Sequence, residues 1–506
     1  METQALRALL VEIAHLDSAL ALLNWDQEVF MPQGAAEARA AILASLSARR
    51  HDVSISPTLQ AEVARLQALP AGTLDEREQA LVREAADDLA DALKLPTEFV
   101  ARYAEATSKS QGIWAAARKA NTFADFAPAL EEVIKLNQEM AGYLGFSDSP
   151  YDALLNLYEP GLTSQQITAT FTPLKEALVP LLREAVGNEK SSRQQLSGHI
   201  PQAEQLDLAL EIATALGYDT THGRLDLSTH PFSTSFHPTD ARITTRVDED
   251  DFWVCLGATI HETGHALYEQ GLPTVDFGTP LGQAASTGIH ESQSRSFENI
   301  IGRSKEFWSY WYPKLQARFP IFKLSLDEFL DALNAVSPSF IRVEADELSY
   351  NLHIILRTEL EQALIEGKLA VRDLPAAWNA KFKEYFGVEV PSDADGVLQD
   401  VHWSCGYFGY FPTYTLGNLY SAQLWHAIQK DIPDVMQSVA RADFKPFLGW
   451  MREHIHQYGR QYLPQDLLMR ATGEPLNPKY FSDYLKGKYG SSSNSQSTSA
   501  ISQTTA

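Results

Sequence analysis

The stretch Trp253 to Gly271, WVCLGATIHETGHALYEQG, decides how the chain is read. It contains His261-Glu262-Thr263-Gly264-His265, an H-E-x-x-H arrangement. On a helix, His261 and His265 lie one turn apart on one face, so both imidazoles can hold one metal ion while Glu262 projects beside it. Val254, Leu256, Ala258, Ala266, Leu267 and Tyr268 suit a buried helix, and Gly271 followed by Pro273 supplies a stop. Gly264 weakens a helix by about 1 kcal/mol relative to Ala, so it is tolerated there rather than favoured. The spacing predicts hydrolysis at a metal. The bland alternative is two histidines on a helix face that bind nothing.

Outward from this stretch the chain reads as helical. Residues 1–145 form successive amphipathic helices, as in Leu6, Leu9, Leu10, Ile13, Leu16, Leu20 and Leu23. Helices are expected again from Ser164, over Leu206–Leu216, and over 283–301, 304–318, 325–333, 338–366, 374–386 and from 416 onward. Residues 229–251 break the pattern. The run Asp240 to Val247 has the β-branched content of a short strand or hairpin, either a plain structural element or an edge that pairs with an extended peptide. Trp25-Asp26 reads as an aromatic core plug with a turn residue, or as part of a substrate site. The polar tail at 491–506 cannot bury enough surface to order itself and is given no role. The expected organisation is one body over 1–490, with a helical lobe at 1–145 covering a catalytic lobe at 146–490.

The chain has 41 basic and 65 acidic residues, a formal charge of −24. Nucleic acid and anionic membranes would repel it, which argues against both as partners. Cys255 and Cys405 are the only cysteines, which excludes a disulfide framework and fits a reducing cytosol. Glu2, Arg7, Glu12 and Asp17 interrupt any signal-peptide core, and the apolar run Phe252–Ile260 is about half the ~20 residues that a membrane span needs. A cytoplasmic location is expected.

A catalytic zinc needs three protein ligands and an open position. Glu291, in His290-Glu291-Ser292-Gln293, is the candidate third ligand, with His290, Asp276 and Glu298 as competitors. Glu298 lies two turns beyond Glu291, where a supporting or surface role suits it better. Arg342 and Asp346 are one turn apart if helical, with Tyr350 and His353 continuing the stripe. They form either a solvated salt bridge or an arginine held for a substrate carboxylate. His402, Tyr410 and Tyr414 sit in a glycine- and aromatic-rich loop that can wall a cleft and donate hydrogen bonds to an oxyanion.

These stretches form an ordered set: His230-Pro231-Phe232, Asp240-x-Arg242-x-Thr244, His261-Glu262-x-x-His265, His290-Glu291-Ser292-Gln293, Ile341-Arg342-x-x-Ala345-Asp346-Glu347 and Gly396-x-x-Gln399-Asp400-x-His402-Trp403. With Trp25-Asp26, Met31-Pro32 and Tyr158-Glu159-Pro160-Gly161, the set resembles the M32 family of metallocarboxypeptidases, the carboxypeptidase Taq group, over residues 1–490. The resemblance implies a mostly α-helical gluzincin fold with a deep groove and a small sheet beside the metal helix. It also implies a zinc carboxypeptidase of broad specificity that acts on peptides as a homodimer, with one Zn2+ (or Co2+) per subunit. Carried over residue by residue, His261, His265 and Glu291 match the metal ligands and Glu262 the general base. Arg242 and Arg342 match arginines for the terminal carboxylate. His402 with Tyr410 or Tyr414 matches the surroundings of the scissile carbonyl. Two alternatives remain: a zinc oligopeptidase that cuts internally, and a non-catalytic peptide-binding protein stabilised by zinc. The second is disfavoured because structural zinc is usually closed by four ligands, often cysteines.

Overall fold

The computed structural model describes residues 2–188 and 191–490, so the 491–506 tail lies outside the described residues. Helices dominate, and apolar packing sorts them into two main cores. Gln4–Val29, Ala36–Ser54, Pro57–Gln67 and Glu76–Lys94 share a core of their own, built on Leu6, Ile13, Leu59, Val63, Leu81 and Leu89. The next two helices, Thr97–Ala120 and Phe123–Leu144, pack against each other, and Phe126, Leu130 and Val133 join the large second core. Apolar contacts therefore divide between Lys94 and Thr97, ahead of the lobe boundary expected at 145.

Polar contacts join the first four helices to the body. Arg7 and Arg77 both donate to the buried Asp276, at 2.8 and 2.5 Å, which occupies a residue considered as a metal ligand. Arg460 reaches across to Glu84 and Asp88.

The non-helical segment folds as a three-stranded sheet of order β1-β3-β2, with β1 Leu225–Leu227, β2 Ser233–His237 and β3 Asp240–Thr245. The expected hairpin is β2–β3; β1, parallel to β3, is an addition that its three residues are too few to announce. Strand alternation sends Ala241 and Ile243 onto Ala266 of the motif helix and onto Tyr218, while Arg242 points to the other face. There the Arg242 guanidinium stacks 4.4 Å from the Trp25 ring and pairs with Asp240. The edge of β2 is partly taken, because the Ser18 hydroxyl donates to the Phe236 carbonyl at 2.7 Å.

Two expected helices are broken. Over 338–366, helix occurs only at Tyr350–Ile365, preceded by a short 3-10 turn at Arg342–Glu344. The Asp346 carboxylate accepts from the Ser337, Leu348 and Ser349 amides, which ties the irregular segment to the turn just ahead of the helix. Over 283–301, an α-helix at Thr287–Arg295 passes into a π-helical turn at Ser296–Ile301. The last expected helix starts earlier than 416, at Pro412, whose ring suits a first turn. No helix among the described residues is long and apolar enough to cross a membrane.

Candidate active site

The motif helix spans Phe252–Glu269, and Asp251 caps it by accepting from the Trp253 amide at 3.0 Å. The helix Thr287–Arg295 is capped by Ser286, which accepts from the Ile289 amide at 3.0 Å. Buried Glu159 supports the same end through Ser286 and the Gly288 amide, both at 3.1 Å. The two helices touch at Gly264, where an added Cβ would lie 2.6 Å from the Ser294 Cα. Gly264 is therefore required by packing, which the local helix propensity does not reveal. On the far side of the same helix, a Cβ on Gly417 would fall 2.5 Å from the Glu291 Cγ. We expect Gly264→Ala to destabilise the fold by about 1–3 kcal/mol, the usual cost of overpacking. A urea midpoint unchanged from the parent protein would contradict this close packing.

This approach brings His261, His265 and Glu291 together, with one ligand atom from each lying within 4.8 Å of the others. The Nε2 atoms of His261 and His265 lie 3.6 and 3.3 Å from Glu291 Oε2. The opposite ring nitrogens are engaged: His261 Nδ1 with Glu298 at 2.8 Å, and His265 Nδ1 with His290 at 2.6 Å, whose Nε2 meets Glu269 at 2.9 Å. Such partners fix ring orientation and leave Nε2 lone pairs for a cation. Burial pushes the His265 imidazole down to about 3, which keeps it neutral as a ligand must be. Burial opposes charging of His261, but Glu291 and Glu298 outweigh it and raise its pKa, so a cation bound there takes the place of its proton. Two imidazoles and one carboxylate suit a divalent metal with an open position.

Arg295 donates to Glu291 Oε1 at 2.6 Å and to Glu298 at 3.1 Å. Burial opposes ionisation of Glu298, but Arg295 and His261 outweigh it and hold the carboxyl at about 2. Arg295 carried no sequence expectation; its position four residues after Glu291 was the available signal. Glu298 reaches His261 from the π-helical turn, a device that re-aims side chains at functional sites.

Glu262 lines the same cleft of about 2190 Å³. It is buried, and among the described residues no protein group hydrogen-bonds its carboxylate. Burial pushes its pKa up to about 7.

The cleft is also lined by Arg342, His402, Tyr410 and Tyr414. Arg342 is not held by Asp346, as the one-turn spacing suggests, because the Asp346 carboxylate is taken by Ser337, Leu348 and Ser349. Its Nε instead donates to Asp400 at 2.9 Å, its Nη1 donates to the Tyr350 hydroxyl at 3.0 Å, and Arg357 completes the grip on Asp400 at 2.6 Å. Burial raises the Asp400 pKa, yet Arg342 and Arg357 overcome it and hold the carboxyl far below its usual range. Burial, then Arg342, push His402 down to about 3, so its imidazole is neutral. Its Nε2 faces the Tyr414 hydroxyl at 3.1 Å. Burial, then the Glu291 charge, raise Tyr410 to about 12, so this phenol stays protonated. His353 is turned away onto the Ser339 carbonyl. Arg242 is not among the residues lining the cleft; it lies on the face of β3 opposite Ala241 and Ile243, against Trp25.

The sequence profile described as "Carboxypeptidase Taq (M32) metallopeptidase" matches residues 5–489. The chain is 41% identical over 485 residues to Carboxypeptidase 1 of Bacillus subtilis, covering 95% of this chain and 96% of that one. It is likewise 41% identical over 490 residues to Thermostable carboxypeptidase 1 of Thermus thermophilus, covering 94% and 96%. The crystal structure of the M32 carboxypeptidase from Deinococcus radiodurans superposes with a TM-score of 0.94 at 40% identity, over 97% of this chain and 99% of that chain. With nearly its whole length matched in sequence and in fold, the chain belongs to the carboxypeptidase Taq (M32) family of metallopeptidases.

Proposed function

We propose that this protein is a zinc-dependent carboxypeptidase that releases single C-terminal residues from peptides. The observation that carries the reading is the convergence of His261, His265 and Glu291 on one point of a deep cleft, beside an unbonded buried carboxylate, Glu262. A divalent metal held by the three ligands supplies Lewis acidity toward water and the scissile carbonyl. Glu262, at about 7, is poised to accept the proton of the attacking water and deliver it to the leaving amine. His402, Tyr410 and Tyr414 keep neutral groups at the cleft wall that can donate to the developing oxyanion.

Arg342, braced by Asp400 and Tyr350, anchors the terminal carboxylate; its charge is kept in place without a flexible search. Arg242, stacked on Trp25 of the first helix and paired with Asp240, is the second arginine that the family resemblance assigns to the terminal carboxylate. A helical lobe at about 1–145 covers the catalytic lobe, a division that the separate core of its first four helices supports. The family resemblance supports a homodimer, and two cysteines without a disulfide partner support a reducing, cytoplasmic setting.

Exopeptidase action is tested with one peptide in two forms. A C-terminal amide is expected to be cut about a hundredfold more slowly than the free acid, and Arg342→Met is expected to narrow that gap. Products read by mass should be shortened one residue at a time. Equal cleavage of both forms, or internal fragments, would replace this reading with an oligopeptidase.

A further inference from the structure

Behind Arg342 lies a second arginine that does not reach the cleft. Arg357, on the helix Tyr350–Ile365, has no exposed surface and stacks 4.6 Å from the Trp378 ring. His353, Arg357 and Glu361 follow at four-residue spacing and so share one face of that helix. This face holds the segment from Asp400 to Gly409. Arg357 Nε donates to Asp400 Oδ2 at 2.6 Å, and Glu361 accepts from the Trp403 indole at 3.1 Å and the Gly409 amide at 3.3 Å. Arg357 Nη1 donates to the His353 carbonyl at 2.8 Å, while its buried Nη2 has no partner.

Arg342 takes the other Asp400 oxygen, Oδ1, from both Nε and Nη2 at 2.9 Å. One carboxylate therefore faces two guanidiniums, and among the described residues neither arginine has another carboxylate within ion-pair distance. The neighbouring titratable groups do not restore the balance. Burial, then Arg357 and Arg342, hold His353 well below its usual range, so its imidazole is neutral, as that of His402 is. Burial pushes the Glu361 carboxyl up to about 8, so it is mostly protonated at neutral pH. Burial likewise raises Tyr350 and Tyr414, which stay as phenols. The set thus keeps one positive charge that its own carboxylate does not cancel. A surplus charge in buried surroundings costs stability, and an incoming anion relieves that cost. Of the two arginines, Arg342 is the one that lines the cleft.

We propose that Arg357 is a positioning residue that sets the selectivity of the cleft for a free terminal carboxylate. This rests on Arg342 as the terminal anchor. Arg357 draws on Asp400 from behind, which fixes the brace of Arg342 and stops Asp400 from cancelling the charge that Arg342 presents. Without Arg357, Arg342 and Asp400 form a closed neutral pair, which attracts an anion less strongly. That pair leaves no unbalanced charge, so the chain should still fold when Arg357 is replaced.

The test uses one N-blocked tripeptide as the free acid and as the C-terminal amide, with kcat and KM measured for each. Arg357→Met is expected to cut the acid-to-amide ratio of kcat/KM by about tenfold or more, chiefly through a higher KM for the acid. Arg357→Lys should retain most of the ratio, because a cation still faces Asp400. A folded Arg357→Met with the ratio unchanged overturns the proposal. Equal loss on both forms overturns it too, since that marks a merely structural part, as does an Arg357→Lys that loses the ratio as fully as Arg357→Met. If Arg357→Met lacks the circular dichroism of the parent, Arg357→Gln, whose amide can still donate to Asp400, decides by the same ratio. In all these outcomes the parent keeps its preference for the acid, and only the part given to Arg357 falls. A parent protein that cleaves acid and amide equally removes the carboxypeptidase reading itself, and the proposal with it.

Discussion

Glu262→Gln is expected to lower kcat by about 10³-fold, the middle of the range for loss of a positioned acid–base group, while the protein keeps its metal. The amide preserves the shape of the side chain, so neither packing nor the His261 and His265 rings should shift. What is lost is proton capture, for which the parent carboxyl is set near neutrality by its burial. Turnover under saturating peptide, paired with metal content by elemental analysis, reads both quantities. Near-normal turnover in metal-replete Glu262→Gln would move the base elsewhere in the cleft, whereas lost metal would make the variant uninformative about proton transfer and assign Glu262 a structural part.

Chelation is expected to bring hydrolysis to background without unfolding the chain, and His265→Ala is expected to do the same permanently. The ligands are not held in place by a metal alone. His261 is tied to Glu298, His265 to the His290–Glu269 pair, and Glu291 to Arg295, all by bonds of 2.6 to 2.9 Å. Such a site stays formed when empty, unlike small domains whose folding free energy is metal binding. Far-ultraviolet circular dichroism should therefore be nearly unchanged after chelation, and added zinc should restore activity to the parent protein but not to His265→Ala. Loss of helical signal with the metal would mark it as structural and favour the peptide-binding alternative.

The metal cluster is the most legible part of the molecule, because its spacing is helical arithmetic: His261 and His265 on one face, and Glu291 on the next helix. Features that depend on a change of helical period are not legible. The π-helical turn brings Glu298 to His261, a contact that counting two regular turns from Glu291 does not foresee. Arg342 and Asp346 are one turn apart only on paper, since the segment between them is irregular, Asp346 bonds the turn amides ahead of the helix, and Arg342 pairs with Asp400, 58 positions away. Arg242 stands in a motif with Thr244, yet strand alternation turns it to the face where Trp25 waits. Long-range partners of this kind carry no local periodicity. Gly264 is instructive in another way: its cost to the helix is readable, while its reason, the Ser294 backbone, lies 30 positions downstream.

The helix that carries Glu291 lies between two glycines, Gly264 before it in the chain and Gly417 well after it. During synthesis, a chain that has emerged only through Arg295 possesses all three metal ligands but lacks the second wall that clamps them. That wall arrives with Pro412–Asp431, and the final brace on Glu347 comes from Lys488 and Tyr489 at the end of the described chain. The ligand set is thus complete by Arg295 in the sequence, while the packing behind Glu291 needs residues more than a hundred positions further on.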